Sequence, residues 1–239
     1  MRQLYIDCQM GVAGDMLLAA LLELCDSPGE IMENIRGMGI ADLKAESEKT
    51  EREGLIGTQV HISVEDDTDA GRTLANVHEI IDSLAVSDRV KKDAKGVYQI
   101  IAEAEAAVHE TDLDHVHFHE VGSLSAIADI TGVCMAMEAL HVDKVVSSPI
   151  HVGSGTVKCA HGILPVPAPA TARIVADLPT YSGDVLGELC TPTGAALVKY
   201  FADTFEQMPE LTAFKSGRGF GTKVFPGKIN GIGVTLYVE

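Results

Sequence analysis

Leu4-Tyr5-Ile6-Asp7-Cys8, then Gly11-Val12-Ala13-Gly14-Asp15, then the apolar run Met16 to Leu24: this stretch decides the fold. It reads as a short buried strand, a glycine loop and a helix, the opening unit of an α/β or α+β chain. Asp7 closes the strand, where carboxylates meet ligands in α/β folds. Asp15 starts the helix, either as its cap or as a functional carboxylate. A bare helix N-terminus suits a phosphate. The loop carries neither GxGxxG nor a Walker lysine, so a standard nucleotide fingerprint is absent.

Outward from this unit, Glu30 to Met38 reads as a second short helix. Leu43 to Thr50 and Gln59 to Glu65 alternate around Glu53-Gly54 and predict an antiparallel hairpin. An acidic loop follows, Glu65 to Gly71. Thr73 and Ser87 cap two further helices, the second with an apolar stripe at Val90, Ala94, Val97, Ile101, Ala104 and Val108, ending near His109. A helix spans Ser123 to Leu140, and Val142 to His151 reads as a strand. Pro165, Pro167 and Pro169 force an extended segment. Short helices cover Ala170 to Ala176 and Pro192 to Phe205. Gly217 to Gly221 reads as a glycine-rich tail segment before a last strand, Ile232 to Val238. The expected fold is a mixed sheet with packed helices, its strand order unreadable. Residues 1–239 form one domain, with 1–66 and its hairpin as a candidate subdomain.

A chain of 239 residues can build a sizeable core. Its net charge of −17 argues against nucleic acid or an anionic membrane as partner. No apolar run is long enough to span a bilayer. Five scattered Cys without CxxC pairs suit reduced thiols and a cytoplasmic location.

The chemistry concentrates in His115-Val116-His117-Phe118-His119-Glu120. If extended, alternation puts the imidazoles on one face and Val116 and Phe118 on the other. Imidazoles beside a carboxylate suit a first-row transition metal; the alternative is an exposed strand edge that happens to carry histidines. In the following helix Asp129 stands amid a stripe of small residues, Gly122, Ser125, Ala126, Gly132 and Ala136. A carboxylate there is costly unless paired or metal-bound, so Asp129 is a candidate ligand or orients a histidine; otherwise it faces solvent. Cys159 and His161 pair a thiol with an imidazole, too short a signal to name a metal. Thr191-Pro192-Thr193-Gly194, at a helix start, offers hydroxyls and backbone N–H groups to an anion, or is an ordinary cap.

Several of these segments together resemble one family. They are Tyr5 to Cys8 with Gly11 and Gly14-Asp15-Met16; Glu103-Ala104-Glu105 with Val108-His109; Val116 to Gly122 with Ile127, Asp129, Ile130 and Gly132; His161 to Thr171; and Glu188-Leu189 with Thr191 to Ala196. The family is the nickel-insertion protein of nickel-pincer cofactor biosynthesis, the LarC family, and the resemblance covers nearly the whole chain. It implies a chelatase of the lyase class. Such a protein inserts Ni²⁺ into a pyridinium bis-thiocarboxylate mononucleotide, forming a carbon–nickel bond flanked by two sulfur–nickel bonds. It also implies CTP with Mn²⁺ or Mg²⁺, on a C-terminal domain of the family that this chain lacks. That C-terminal half becomes an expected partner, alongside a homo-oligomer.

The carry-over puts metal ligation on His117, His119, Glu120, Asp129 and His161. Asp7 and Asp15 are the catalytic candidates, and Gly14, Arg72, Thr191, Thr193 and Gly194 the substrate-binding ones, with Arg72 matching a family arginine that could meet a phosphate. Three positions depart from the family pattern: Ser125 stands where members carry Asp, Met10 where a Ser often begins the loop, and the acidic Asp66 to Gly71 where some have a His-rich stretch. The expectation is one cleft, with the helix from Asp15 facing the stripe around Asp129. The alternatives to insertion are a nickel-delivery or storage module without its own catalysis, and a metal-dependent hydrolase using Asp7, Asp15 and the histidines.

Overall fold

The structure is a computed structural model of the chain. It describes all residues except Asp66, Thr68 to Ala70, Ala160, His161, Leu211 and Glu239. In chain order the elements are β1 (Arg2–Asp7), α1 (Gly14–Leu24), α2 (Pro28–Arg36), β2 (Leu43–Arg52), β3 (Leu55–Val64), β4 (Arg72–Thr73), α3 (Leu74–Ser83), α4 (Asp88–His109), β5 (His117–Phe118), α5 (Leu124–Leu140) and β6 (Lys144–Ser147). Then come β7 (Ile150–His151), β8 (Gly153–Ser154), β9 (Thr156–Cys159), β10 (Gly162–Pro165), α6 (Pro169–Ile174), β11 (Thr180–Tyr181), β12 (Gly187–Glu188), α7 (Pro192–Phe201), β13 (Thr204–Phe205), β14 (Ala213–Phe220) and β15 (Gly231–Val238).

Seven strands form one mixed sheet in the order β13-β6-β1-β15-β14-β3-β2. β1 runs parallel to β6 and antiparallel to β15, and β14 is antiparallel to β15 but parallel to β3. The remaining strands make two-stranded ribbons. Alternation sorts the faces. Leu4 and Ile6 of β1, with Ile232, Val234 and Leu236 of β15, join the main core. Tyr5, Val146 and Tyr237 form a small separate cluster. The helix α1 lies against β14, β3 and β15, and α5 packs on α1; α4 packs outside α5, against α6 and α7.

The two caps read from the sequence are in place: Thr73 makes a reciprocal capping box with Asn76, and Ser87 accepts from Val90 N–H. Ser123, read as the first residue of its helix, is its cap and accepts from Ala126 N–H. The hairpin β2–β3 turns at Glu53 and Gly54, both at positive φ, and β3 begins at Leu55, earlier than alternation suggested.

Two expectations are corrected. The segment read as one strand, Val142 to His151, is two, β6 and β7, because Pro149 lies between them and cannot continue a ladder. The tail Gly217 to Gly221 is mostly strand β14, and its glycines serve packing. A Cβ on Gly219 would lie 2.0 Å from the Met16 carbonyl oxygen, and one on Gly217 2.5 Å from that of Ala20. Only side-chain-free positions let α1 lie this close to the sheet.

Candidate functional site

The glycine loop is locked to the segment before α7. Gly11 takes φ +77°, and a Cβ there would meet the Leu189 carbonyl oxygen at 2.1 Å. Val12 N–H donates to the Leu189 carbonyl, and Thr191 N–H donates to the Val12 carbonyl. Gly194 packs on Val12, with its Cβ position 2.2 Å from the Val12 oxygen. Thr191 caps α7 by accepting from Gly194 N–H at 3.1 Å, and its hydroxyl meets that of Thr193 at 3.0 Å.

This junction carries two carboxylates. A Cβ on Gly14 would lie 3.5 Å from Asp129 Cβ and 3.7 Å from Thr193 Oγ1, so the starts of α1 and α7 meet the middle of α5 here. Asp129 Oδ1 is buried and has no hydrogen-bond partner among the described residues. Burial pushes the Asp129 carboxyl well above the usual carboxylate range, and the neighbouring charge of Asp15 adds to it. Burial also raises Asp15, opposed by its helix-start N–H groups and by Lys223 and His61.

Thr193 connects this junction to a cavity of about 670 Å³. Glu105, Val108 and His109 at the end of α4 line it, with His119, Glu120 and Val121 between β5 and α5. Thr191, Pro192 and Thr193, the strand β9 with Lys158 and Cys159, and Glu188 and Lys223 complete much of the wall. The volume suits a small organic ligand.

The histidine run keeps the expected alternation of burial: Val116 and Phe118 are buried, and His115, His117 and His119 are exposed. It is not one strand, however. His115 ends a turn of 3₁₀ helix, and β5 holds only His117 and Phe118, paired to Thr73 and Arg72 of β4. His117 Nδ1 lies 3.0 Å from the Gly71 carbonyl oxygen. His119 and Glu120, one step further on, are the two that reach the cavity wall. Among the described residues, no group of three or more His, Cys, Asp or Glu converges closely enough to hold a metal by itself. His161 lies outside the described residues.

Arg72 is placed differently from a phosphate ligand at the cavity. It is buried, bonded to Asp67 at 2.8 Å and to the Gly122 carbonyl at 2.9 Å. Asp67 also accepts from Leu124 N–H at the start of α5. The pair thereby fixes the entry to α5. Asp7, at the end of β1, accepts from Gln9 N–H; burial raises its carboxyl, and its charge reaches Tyr5 and Tyr181. It is not on the described cavity wall. Lys158 and Lys223 are wall residues that sequence reasoning did not single out as binding groups, because a lone exposed lysine has no local signature.

No helix among the described residues is long and apolar enough to cross a membrane. No solved structure matches the chain. The family described as "Nickel insertion protein" matches residues 4–239. The pyridinium-3,5-bisthiocarboxylic acid mononucleotide nickel insertion protein of Desulfitobacterium hafniense is 39% identical over 223 residues, 93% of this chain and 55% of that protein. A putative nickel insertion protein of Dictyoglomus thermophilum is 39% identical over 94% of this chain and 58% of its own length. One of Geobacter sp. is 40% identical over 99% and 61%. The chain thus spans little more than half the length of these relatives. With the glycine loop, the Asp129 junction and the histidine segment all inside the matched region, the chain belongs to the nickel insertion protein family.

Proposed function

We propose that this chain binds Ni²⁺ and inserts it into pyridinium-3,5-bisthiocarboxylic acid mononucleotide, yielding the nickel-pincer cofactor. The carrying observation is the cavity lined by His119 and Glu120 as well as by Thr191 and Thr193. An imidazole and a carboxylate hold a first-row metal without the closed shell of a storage site. The thiocarboxylate sulfurs of the substrate then complete the coordination and draw the metal over. His117, Asp129 and His161 remain further candidate donors. Bonding nickel to a ring carbon displaces that carbon's proton, and a base must accept it. We assign that role to Asp15, which follows Gly14 at the junction with Asp129 and the cavity residue Thr193 and whose burial raises its carboxyl. CTP with Mn²⁺ or Mg²⁺ is assigned to a body corresponding to the unmatched part of the relatives, acting as a partner. The free thiols fit a reducing cytoplasm.

The test mixes the chain, Ni²⁺ and the mononucleotide, with and without CTP and Mn²⁺, and follows the nickel complex by mass spectrometry. Complex formed in excess of protein supports insertion by this chain. Nickel bound by the protein but never transferred favours the delivery module. No nickel binding at all overturns both.

A further inference from the structure

The cavity wall separates its charges by element. The end of α4 and the histidine segment bring Glu105, His109, His119 and Glu120; β9 and the turn after β14 bring Lys158 and Lys223, with the carboxylate Glu188 of β12 beside Lys223. In a chain of net charge −17, an anion reaches this cavity only if local cations offset the overall repulsion. Lys223 is held at the wall by Glu188, 2.9 Å away, whose side chain is only 11% exposed. Lys158 is exposed on β9 and has no ion-pair or hydrogen-bond partner for its ammonium among the described residues. Arg72, the arginine expected to meet a phosphate, is occupied by Asp67 and Gly122.

We infer that Lys158 and Lys223 form the phosphate subsite of the cavity, seating the phosphate of a pyridinium mononucleotide while its ring carboxyl groups lie toward His119 and Glu120. This rests on the nickel-insertion reading for the identity of the ligand. The subsite explains why one cavity carries both kinds of group. A mononucleotide is a ligand with an anionic phosphate at one end and metal-seeking groups at the other. An ammonium serves the phosphate as a point charge.

The experiment uses the whole chain without nickel and titrates pyridinium-3-carboxylate mononucleotide against the matching riboside, which lacks the phosphate. Wild type is expected to bind the mononucleotide about tenfold tighter or more, as losing charge-assisted hydrogen bonds implies. Lys158→Ala and Lys223→Ala each lower that preference, the double variant abolishes it, and Lys158→Arg/Lys223→Arg restores it. Circular dichroism melts check that the variants are folded. A double variant that keeps the preference overturns the subsite. So does a wild type that binds both ligands alike, or neither. The two readings fail separately. Phosphate preference without nickel transfer removes the insertion reading and keeps the subsite; transfer that is indifferent to both lysines does the reverse.

Discussion

Asp129 Cβ lies 3.5 Å from the place a Cβ would occupy on Gly14, an ordinary contact distance. One methyl therefore fits between α1 and α5, and anything larger presses on the carboxylate. Gly14→Ala is expected to leave the melting temperature unchanged or slightly raised, since alanine favours a helix start by up to about 1 kcal/mol. Gly14→Leu is expected to lower it. Thermal denaturation of the pair checks this, and an equally damaging alanine would show that the gap is smaller than the geometry indicates.

Gly11 and Gly194 behave differently. Their missing side chains are replaced by the carbonyl oxygens of Leu189 and Val12, at 2.1 and 2.2 Å from the Cβ positions. Gly11 also needs its positive φ. Alanine at either position is expected to cost about 2–4 kcal/mol in urea unfolding. A loss below about 0.5 kcal/mol would mean that the loop and the α7 segment are not clamped together.

The pH dependence of Asp129 has a definite sign. Its folded carboxyl is raised, first by burial and then by Asp15, so the folded state holds a proton that the unfolded chain releases. Stability is lost as pH rises from the unfolded value, about 4, toward the folded one. Asp129→Asn removes that loss. The variant is expected to melt higher than wild type at neutral pH, with the difference shrinking toward pH ~4. A difference that grows on acidification would contradict this.

Arg72 is assigned to structure. Its side chain is 9% exposed and that of Asp67 13%, so Arg72→Ala leaves a buried carboxylate without its guanidinium partner. The expected cost is about 3–5 kcal/mol, with a lowered Tm. Mononucleotide affinity in the variant that remains folded should be close to wild type. A stable variant with weakened mononucleotide binding would return Arg72 to the ligand.

For nickel, His119→Ala and Glu120→Ala are each expected to weaken Ni²⁺ binding by tenfold or more in isothermal titration, on the order seen when support of a metal site is lost. His117→Ala is expected to do less, because its ring is turned to the Gly71 carbonyl. Equal effects at all three positions would place His117 in the same coordination shell.

What was legible in the sequence follows from the range of each signal. The unit β1–loop–α1, the capped helices and the alternation of Val116 and Phe118 against the histidines depend on neighbours a few residues apart, and the structure has them. The role of Gly217 and Gly219 was not legible: their constraint comes from Met16 and Ala20, some two hundred positions away. The partner of Arg72 was unreadable for a related reason. An arginine near an acidic loop says nothing about whether the loop folds back on it, and Asp67 does. At the cavity, a cluster of histidines announces itself, whereas Lys158 and Lys223 come to line one cavity only through folding.

The position of β15 between β1 and β14 has a consequence for how the molecule assembles during synthesis. β1 precedes every other strand of the sheet, yet the neighbour on one of its edges is supplied by residues 231–238. A nascent chain must therefore carry β1 with one side unsealed while residues 8–230 are translated. Until that strand arrives, the sheet exists as two unjoined pieces, one around β6 and one around β3. Ribosome-bound intermediates should thus expose an aggregation-prone edge until residues 231–238 emerge, a load that falls on chaperones.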